Sequence, residues 1–315
     1  MSGRPIRVLY VGGAGRSGTT IVSTVLGQSP GVFAAGELRY AWERGFDQDH
    51  RCGCGQPFSR CPVWTEVVDC AFGVGGPPDP VAIHKDLLHR LRIMRVPLGM
   101  LRSALGRPVV PYHRHDAAIH RLYAAVADLD GVDVIVDSSK SPVYARLLSR
   151  LPDIELTMLT VVRDPRAGAY SWRRLKPTGD SNDGATMERL EIWRSALVWT
   201  VWYALLGRWF PAGDRHLVLR YEDFVEQPEA SIARVLDRLG REGGPVFGAD
   251  GTVRLEPTHT VAGNPNRHAS GPVRLALDDE WRTRMPWRDR ALGTLFALPL
   301  LGRHRYRVGG ASFRG

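Results

Sequence analysis

The residues best suited to chemistry lie in a glycine-rich stretch near the amino terminus. It reads Gly-Gly-Ala-Gly-Arg-Ser-Gly-Thr-Thr and covers residues 12–20. A short β-rich run at residues 6–11 precedes it, and residues 19–27 after it have the spacing of a helix. The N–H groups at the start of a helix attract anions, and glycine lets the backbone approach a phosphate closely. The stretch therefore predicts an anion-binding loop.

This loop differs from a Walker A phosphate-binding loop at the position of the catalytic cation. Walker A requires Gly-x-x-x-x-Gly-Lys-Ser/Thr. Aligned on Gly13 and Gly18, this chain has Thr19 where the lysine belongs, and its cation is Arg16. Because that lysine normally reaches the β/γ-phosphates, its absence argues against ATP or GTP hydrolysis and phosphoryl transfer. A glycine-rich turn without a ligand is the alternative interpretation.

A second anion-binding pattern follows a later strand. The apolar residues 159–162 lead into Arg-Asp-Pro-Arg at 163–166, and Ser171 follows Arg163 by eight residues. Arginine provides a planar, permanently charged donor fork that suits a phosphate, and the next helix can bring a hydroxyl to the same anion. Taken alone, Arg-Asp-Pro could also be a strand-to-helix turn with an ion pair.

Together, the two segments resemble the sulfotransferases that use 3′-phosphoadenosine 5′-phosphosulfate (PAPS), in their bacterial, carbohydrate and tyrosylprotein-like branch. That family is similar in fold to P-loop kinases but uses no metal. The resemblance implies PAPS as co-substrate, no metal requirement, and a 3′-phosphate site made of Arg163 and Ser171. The residues it assigns to the 5′-phosphate and sulfuryl group are Arg16, Ser17, Gly18, Thr19 and Thr20.

Two further segments fit the same family. Residues 219–223 read Leu-Arg-Tyr-Glu-Asp, and the resemblance implies that Tyr221 lies near the nucleotide. A half-buried tyrosine with a polar tip is the alternative. Residues 261–267 resemble the Gly-Asn-Pro-x-Arg loop of bacterial and carbohydrate-type members, which implies that Gly263 and Arg267 close over the 3′-phosphate. As a bare sequence, Gly-Asn-Pro indicates only a turn.

The candidate general base is Glu37, within Ala-Gly-Glu-Leu-Arg at residues 35–39. A carboxylate or histidine near the acceptor proton can remove it. The Gly-Glu position resembles the base of several bacterial and protein-tyrosine sulfotransferases. Cytosolic small-molecule members use a histidine from a later strand, whereas residues 136–142 of this chain contain none. A surface glutamate paired with Arg39 is the alternative.

Lys140 is one of only three lysines in the chain and follows a predicted strand end, where α/β sheets gather ligands. We hypothesise that it contacts the transferring sulfuryl oxygens, while Arg16 neutralises charge on the leaving phosphate. A surface lysine is the alternative. Asp137 is predicted to be structural, capping the turn that follows it.

Cysteines are clustered at Cys52, Cys54 and Cys61, with His50 close by. Such residues can ligate zinc, but the spacing fits no standard zinc finger. This favours a reduced structural cluster or a local disulfide over zinc, and no metal ligand is assigned.

Strands that alternate with helices predict an α/β protein with a P-loop NTPase-like, three-layer fold around a parallel sheet. We expect one domain over residues 1–315, with an insertion at about 44–115 that forms a lid or acceptor site. The strands beyond the first are predicted at 31–35, 132–136, 156–162 and 216–220. The helices are predicted at 81–105, 116–129, 142–150, 166–174, 189–209 and 228–239; residues 44–80 and those after 241 read as irregular, apart from a short helix near 278–284.

The net charge of +9 favours an anionic partner, which a small polyanionic cofactor would satisfy. No nucleic-acid recognition motif is present. The chain shows no secretory leader pattern and no apolar run of about 20 residues, which predicts a cytoplasmic protein. Peripheral membrane contact through helical residues 90–107 and 193–209 is a further possibility.

These observations predict an enzyme that transfers the sulfuryl group of PAPS to an acceptor hydroxyl or amine by in-line displacement, with Glu37 as general base. The acceptor class is a small molecule, a sugar or a glycolipid. The alternatives are a P-loop kinase-like protein that uses ATP, and a non-catalytic relative that binds 3′-phosphoadenosine 5′-phosphate (PAP).

Overall fold

A parallel five-stranded sheet forms the centre of the molecule. The computed structural model describes residues 4–174 and 189–309. The strands are β1 (Ile6–Gly12), β2 (Val32–Gly36), β3 (Val134–Lys140), β4 (Ile154–Val162) and β5 (His216–Arg220), in the order β2-β3-β1-β4-β5. Each neighbouring pair is parallel. β1 is therefore central, so its carboxyl end opens into the middle of the sheet edge.

Helices cover both faces of this sheet. In β1, Val8 and Tyr10 belong to one hydrophobic core, whereas Leu9 and Val11 belong to another. The first core contains residues of α5 (Asp116–Ala127), α6 (Pro142–Leu148) and α8 (Ile192–Trp209); the second contains residues of α1 (Thr19–Leu26), α9 (Tyr221–Glu226) and α10 (Pro228–Arg238). Alternate strand side chains point to opposite faces, so the fold has three layers, as the sequence predicts.

The remaining helices are α2 (Pro62–Phe72), α3 (Pro80–Arg90), α4 (Val96–Ala104), α7 (Pro165–Arg173), α11 (Trp281–Arg284) and α12 (Trp287–Leu301). Thr252–Leu255 (β6) and Gly271–Arg274 (β7) form a separate antiparallel pair. Among the described residues, no helix has both the length and the apolar composition needed to cross a bilayer.

Several predicted boundaries are wrong. Residues 44–80 were expected to be irregular, but they contain α2. This helix buries Trp64, Val67 and Ala71, and the Gly- and Pro-rich segments on either side of it obscured the helical pattern. The predicted helix at 81–105 is two helices, because Pro97 lies in the first turn of α4 and disfavours a helix continuing through it. β3 extends to Lys140 through polar residues, beyond its predicted end at Val136.

The segment after residue 241 also holds more regular structure than expected. It contains the β6–β7 pair and the 15-residue helix α12. α12 packs against α8 and contains Pro299, and its apolar residues do not follow the one-sided spacing of a surface helix. Its sequence therefore lacks the amphipathic pattern by which helices are recognised.

Candidate active site

The loop between β1 and α1 adopts a conformation that depends on its glycines. Gly18 has φ +89°, and Arg16 itself has φ +68° in the left-handed region. A Cβ atom on Gly18 would lie 2.2 Å from the Tyr221 ring. Any larger residue at position 18 would therefore both strain the backbone and collide with a half-buried aromatic side chain.

Neighbouring elements hold this loop in place. The Tyr203 hydroxyl, from α8, accepts a hydrogen bond from the Ala14 N–H at 3.1 Å and donates to the Val161 carbonyl of β4 at 2.6 Å. The Ser17 hydroxyl donates to the Ala14 carbonyl at 2.6 Å, and the Gly13 N–H donates to the Lys140 carbonyl at 3.4 Å. The loop is thus connected to β3, β4 and α8.

Arg16 is largely buried against an aromatic ring. Its guanidinium carbon lies 4.9 Å from the centre of the Trp172 ring, a cation–π arrangement. Burial, and after it the charge of Arg174, lowers the pKa of Arg16, and Glu37 partly offsets this. Sequence reasoning missed Trp172, although it directly follows Ser171 in the segment that carries the family resemblance.

Arg163 contacts the first loop directly. Its Nη1 donates to the Arg16 carbonyl at 3.2 Å, and its Nη2 donates to the Asp278 carbonyl at 2.7 Å. Its guanidinium carbon lies 4.8 Å from the centre of the Tyr221 ring. Ser171 lies buried in α7, the helix that follows Arg163. The two basic segments predicted from the sequence are therefore contiguous, with Tyr221 against both.

The Arg-Asp-Pro-Arg run also contains a structural ion pair. The Asp164 carboxylate caps α7 by accepting from the Arg166 N–H at 2.9 Å, and it binds the Arg166 guanidinium through Nε at 2.9 Å and Nη2 at 2.7 Å. Arg166 is fully buried. The run therefore makes two separate contacts. Asp164 and Arg166 form the strand-to-helix turn, whereas Arg163 contacts the glycine-rich loop.

Glu37 and Lys140 form an ion pair next to the same loop. Both side chains are mostly buried, and Arg39, the predicted alternative partner of Glu37, instead stacks on the Tyr40 ring at 4.2 Å. A Cβ atom on Gly263 would lie 3.6 Å from Glu37 Oε1 and 3.7 Å from Thr20 Oγ1. A carboxylate, an ammonium group and a hydroxyl thus meet beside Gly263.

Arg267 is fully buried and donates to two backbone carbonyls. Nη1 binds the Thr260 carbonyl at 2.7 Å, and Nη2 binds the Arg51 carbonyl at 2.6 Å. The loop that contains Gly263 is further tied to β2, because the Glu37 N–H donates to the Ala262 carbonyl at 3.2 Å. Arg267 therefore joins this loop to the first residue of the cysteine-rich segment, which we define as residues 51–61.

Asp137 caps the turn after it, which confirms the structural role predicted for it. Its carboxylate accepts from the Ser139 N–H at 2.8 Å, from the Ser139 hydroxyl at 2.6 Å and from the Tyr123 hydroxyl at 2.5 Å. Complete burial raises the pKa of Asp137 to about 6, although these hydrogen bonds oppose the shift.

The cysteine cluster has a different fourth member from the one expected. Cys52, Cys54 and Cys61 are free thiols, and their sulfur atoms lie within 4.8 Å of one another and of a ring nitrogen of His259. His50 does not belong to this group. The cluster therefore joins the cysteine-rich segment to the residues just before Gly263.

A known protein family matches part of the chain. Residues 132–249 match the family model described as "Sulfotransferase domain".

Residues 132–249 are therefore similar to a sulfotransferase domain.

The match spans Lys140, Arg163, Ser171 and Tyr221, whereas Arg16, Glu37, Gly263 and Arg267 lie outside it. No curated protein sequence matches the chain.

Solved structures of other proteins are also similar to this chain. The sulfotransferase domain from the curacin biosynthetic pathway is 14% identical with a TM-score of 0.53, and the match covers 96% of this chain and 99% of that one. The sulfotransferase domain from the Synechococcus PCC 7002 olefin synthase is 17% identical with a TM-score of 0.49, covering 93% of this chain and 95% of that one. The first likeness shows a shared fold, and the predicted branch within the family stays a prediction.

Proposed function

We propose that this protein transfers the sulfuryl group of PAPS to a hydroxyl or amine of a small-molecule, sugar or glycolipid acceptor. The observation that carries the proposal is the hydrogen bond from Arg163 Nη1 to the Arg16 carbonyl. It brings Arg163, which follows β4, against the loop that carries Arg16, so that two arginines are available to the phosphates of one nucleotide. The Glu37–Lys140 pair adjoins the same loop, so a base and a cation are close to the anion site.

The side chains fit a doubly phosphorylated adenosine. Arg16 is desolvated next to Arg174, a pairing that an anion would stabilise. Nε of Arg163 is buried and has no hydrogen-bond partner within the described part of the chain. When bound, PAPS supplies the sulfuryl group and a phosphate as leaving group. No step in this proposal needs a metal ion.

Each residue has a distinct role in the proposal. Glu37 accepts the proton of the acceptor, and Lys140 orients Glu37 and faces the sulfuryl oxygens. Arg16 stabilises the charge that develops on the leaving phosphate. Arg163 and Ser171 hold the 3′-phosphate, and Tyr221 flanks the nucleotide. The remaining binding positions are the backbone and hydroxyls of Ser17, Gly18, Thr19 and Thr20, with Gly263 beside them.

For Arg267 we propose a positioning role. Its two bonds, to the Thr260 and Arg51 carbonyls, join the loop of Gly263 to the cysteine-rich segment. The sequence-based expectation that Arg267 itself closes over the 3′-phosphate is the alternative role.

An ATP-dependent kinase is the second candidate, and two observations speak against it. Thr19 replaces the Walker lysine. The carboxylate of Asp137, at the end of the strand beside β1, is fully buried and already accepts three hydrogen bonds, which leaves it poorly placed to hold a magnesium ion.

Thermal unfolding with PAP, compared with ATP plus Mg²⁺, tests the proposal. A ligand at about 100 times its Kd stabilises the folded state by about 2.7 kcal/mol. We expect PAP to raise the Tm and ATP plus Mg²⁺ to leave it unchanged. Arg163→Ala should abolish the PAP shift, and the exposed Arg254→Ala serves as matched control. Stabilisation by ATP plus Mg²⁺ alone would favour the kinase.

Turnover separates an enzyme from a non-catalytic relative. The protein is incubated with PAPS and a panel of phenols, amino sugars, sugars and glycolipids, and PAP release is measured. We expect acceptor-dependent release of PAP. Tight PAP binding without release for any acceptor would support the non-catalytic alternative.

A further inference from the structure

We propose that Cys52, Cys54, Cys61 and His259 form a structural zinc site. Their ligand atoms all lie within 4.8 Å of one another. The Cys54 and Cys61 sulfurs are 3.8 Å apart, and His259 Nδ1 lies 3.2 Å from Cys61 Sγ and 3.9 Å from Cys52 Sγ. Four donor atoms from two distant parts of the chain therefore surround one point.

These separations match those of a tetrahedral zinc site. Zn–S bonds of about 2.3 Å and Zn–N bonds of about 2.0 Å give tetrahedral edges of about 3.8 Å between sulfurs and about 3.5 Å between sulfur and nitrogen. Three cysteines and one histidine are a standard donor set for structural zinc. Because the protein supplies all four ligands, no position stays open for a substrate, and the role is structural.

The geometry favours zinc over a local disulfide, which is one of the two alternatives that the sequence left open. A disulfide brings two sulfurs to about 2.0 Å and would leave the third thiol and the imidazole without a common function. The spacing Cys-x-Cys-x₆-Cys fits no standard finger because the fourth ligand is 198 residues after Cys61. The local sequence therefore contains only three of the four ligands.

Hydrogen bonds around the cluster orient its ligands. The backbone N–H of Cys54 donates to the Cys52 sulfur, and that of Trp64 donates to the Cys61 sulfur. The Trp64 indole Nε1 donates to the His259 carbonyl at 2.8 Å. Hydrogen bonds of this kind fix ligands around a metal, and N–H groups pointing at sulfur stabilise thiolates.

A second group with metal-binding side chains lacks these properties. Asp86, His113 and His115 also lie together, but Arg90 Nη2 binds the Asp86 carboxylate at 2.7 Å. The Arg90 guanidinium already neutralises the charge of the Asp86 carboxylate, and the group offers three ligand atoms rather than four. It is therefore less suited to hold a metal ion.

The zinc would hold together two segments that meet at the proposed active site. The Gly53 N–H donates to the Thr260 carbonyl at 2.9 Å, and Ala262 accepts from the Glu37 N–H. On binding, the three thiols release their protons and Zn²⁺ is held by three thiolates and a neutral imidazole, a centre of net charge −1. The cysteine-rich segment and the loop of Gly263 are thereby fixed to each other.

Metal content of the purified full-length protein tests this site without any need for PAPS. We expect about one zinc per chain by elemental analysis, retained through dialysis. Cys54→Ser and His259→Ala should lose the metal. Cys70→Ser, which removes an exposed cysteine outside the cluster, and His50→Ala should keep it.

Cobalt substitution keeps the proposal testable if the cluster variants fail to fold. After removal of zinc with a chelator, Co²⁺ added to the wild-type chain should give the strong visible absorption of a tetrahedral thiolate site, and Zn²⁺ should displace it. Absence of both zinc and a cobalt spectrum would overturn the proposal, as would a Cys54–Cys61 disulfide that persists in protein purified under reducing conditions. So would metal loss in His50→Ala with retention in His259→Ala. None of these results bears on sulfuryl transfer.

Discussion

At the scale of single residues, the pairing of Glu37 with Lys140 is the most informative contact for mechanism. The two residues are 103 positions apart, and both are mostly buried next to Thr20 and Gly263. A buried carboxylate needs a charged or hydrogen-bonding partner, and Lys140 provides it. The pair therefore gives Lys140, the last residue of β3, a defined partner beside the loop.

Replacing Glu37 tests its proposed role as base. Glu37→Gln keeps the shape and removes the charge, so we expect kcat with PAPS to fall about 10²- to 10⁴-fold. The Tm shift with PAP should persist, since Glu37 is not assigned to nucleotide binding. Steady-state kinetics and thermal unfolding measure the two effects.

The exposed Glu242→Gln provides a matched control and should keep wild-type kcat. Unchanged turnover in Glu37→Gln would remove Glu37 from the mechanism. Loss of PAP binding together with turnover would instead assign it to the nucleotide site.

At the scale of elements, every strand of the sheet delivers a candidate residue at its carboxyl end. β1 leads into the glycine-rich loop and β3 ends at Lys140. Glu37, Arg163 and Tyr221 follow β2, β4 and β5 directly. Ligands of open α/β sheets bind at the carboxyl ends of the strands, so parallel pairing alone brings these residues to one edge.

The helix α8 positions the loop through one hydroxyl, which gives a prediction at this scale. Tyr203→Phe removes the acceptor of the Ala14 N–H and a donor to Val161. A buried polar group without its partner costs about 1–3 kcal/mol, and we expect a loss of this size in the free energy of unfolding, with weaker PAP binding.

Urea unfolding measures this loss. Tyr112→Phe is the control, because the Tyr112 hydroxyl donates to the Arg150 carbonyl at an exposed position. It should change the free energy of unfolding by less than about 0.5 kcal/mol. Equal effects in the two variants would mean that the Tyr203 hydroxyl does not support the loop.

At the scale of the whole molecule, the buried Asp137 couples stability to pH. Its pKa is about 6 in the folded protein, above its ordinary value of 3.8. Between pH 6 and pH 4 the folded state therefore binds more protons at this group than the unfolded state does. Since stability then falls as pH rises, this group favours the folded state most at the acidic end of the window.

Asp137→Asn should remove that dependence while keeping an oxygen that can accept from Ser139. We expect the free energy of unfolding of the wild type, minus that of the variant, to increase as pH falls from 7 to 4. Urea titrations at several pH values give this difference. Curves that stay parallel across the window would show that Asp137 has no raised pKa.

The sequence by itself determined the glycine-rich loop between β1 and α1, the place of Arg163 after β4 and the parallel α/β fold. Each of these depends on a strand, a turn and a helix start within about fifteen residues, where periodicity and glycine placement encode the backbone directly. The sequence did not predict the helix boundaries near Pro97, or the helices α2 and α12. Proline or glycine interrupts the helical pattern near Pro97 and around α2, and α12 lacks a one-sided apolar pattern.

Only the tertiary structure decided which distant side chains meet. The contact of Arg163 with Arg16, the pairing of Lys140 with Glu37, and the arrival of His259 at three cysteines join positions 100 to 200 residues apart. Such contacts depend on strand order and on how loops pack, which are set by burial of the whole core rather than by any local pattern.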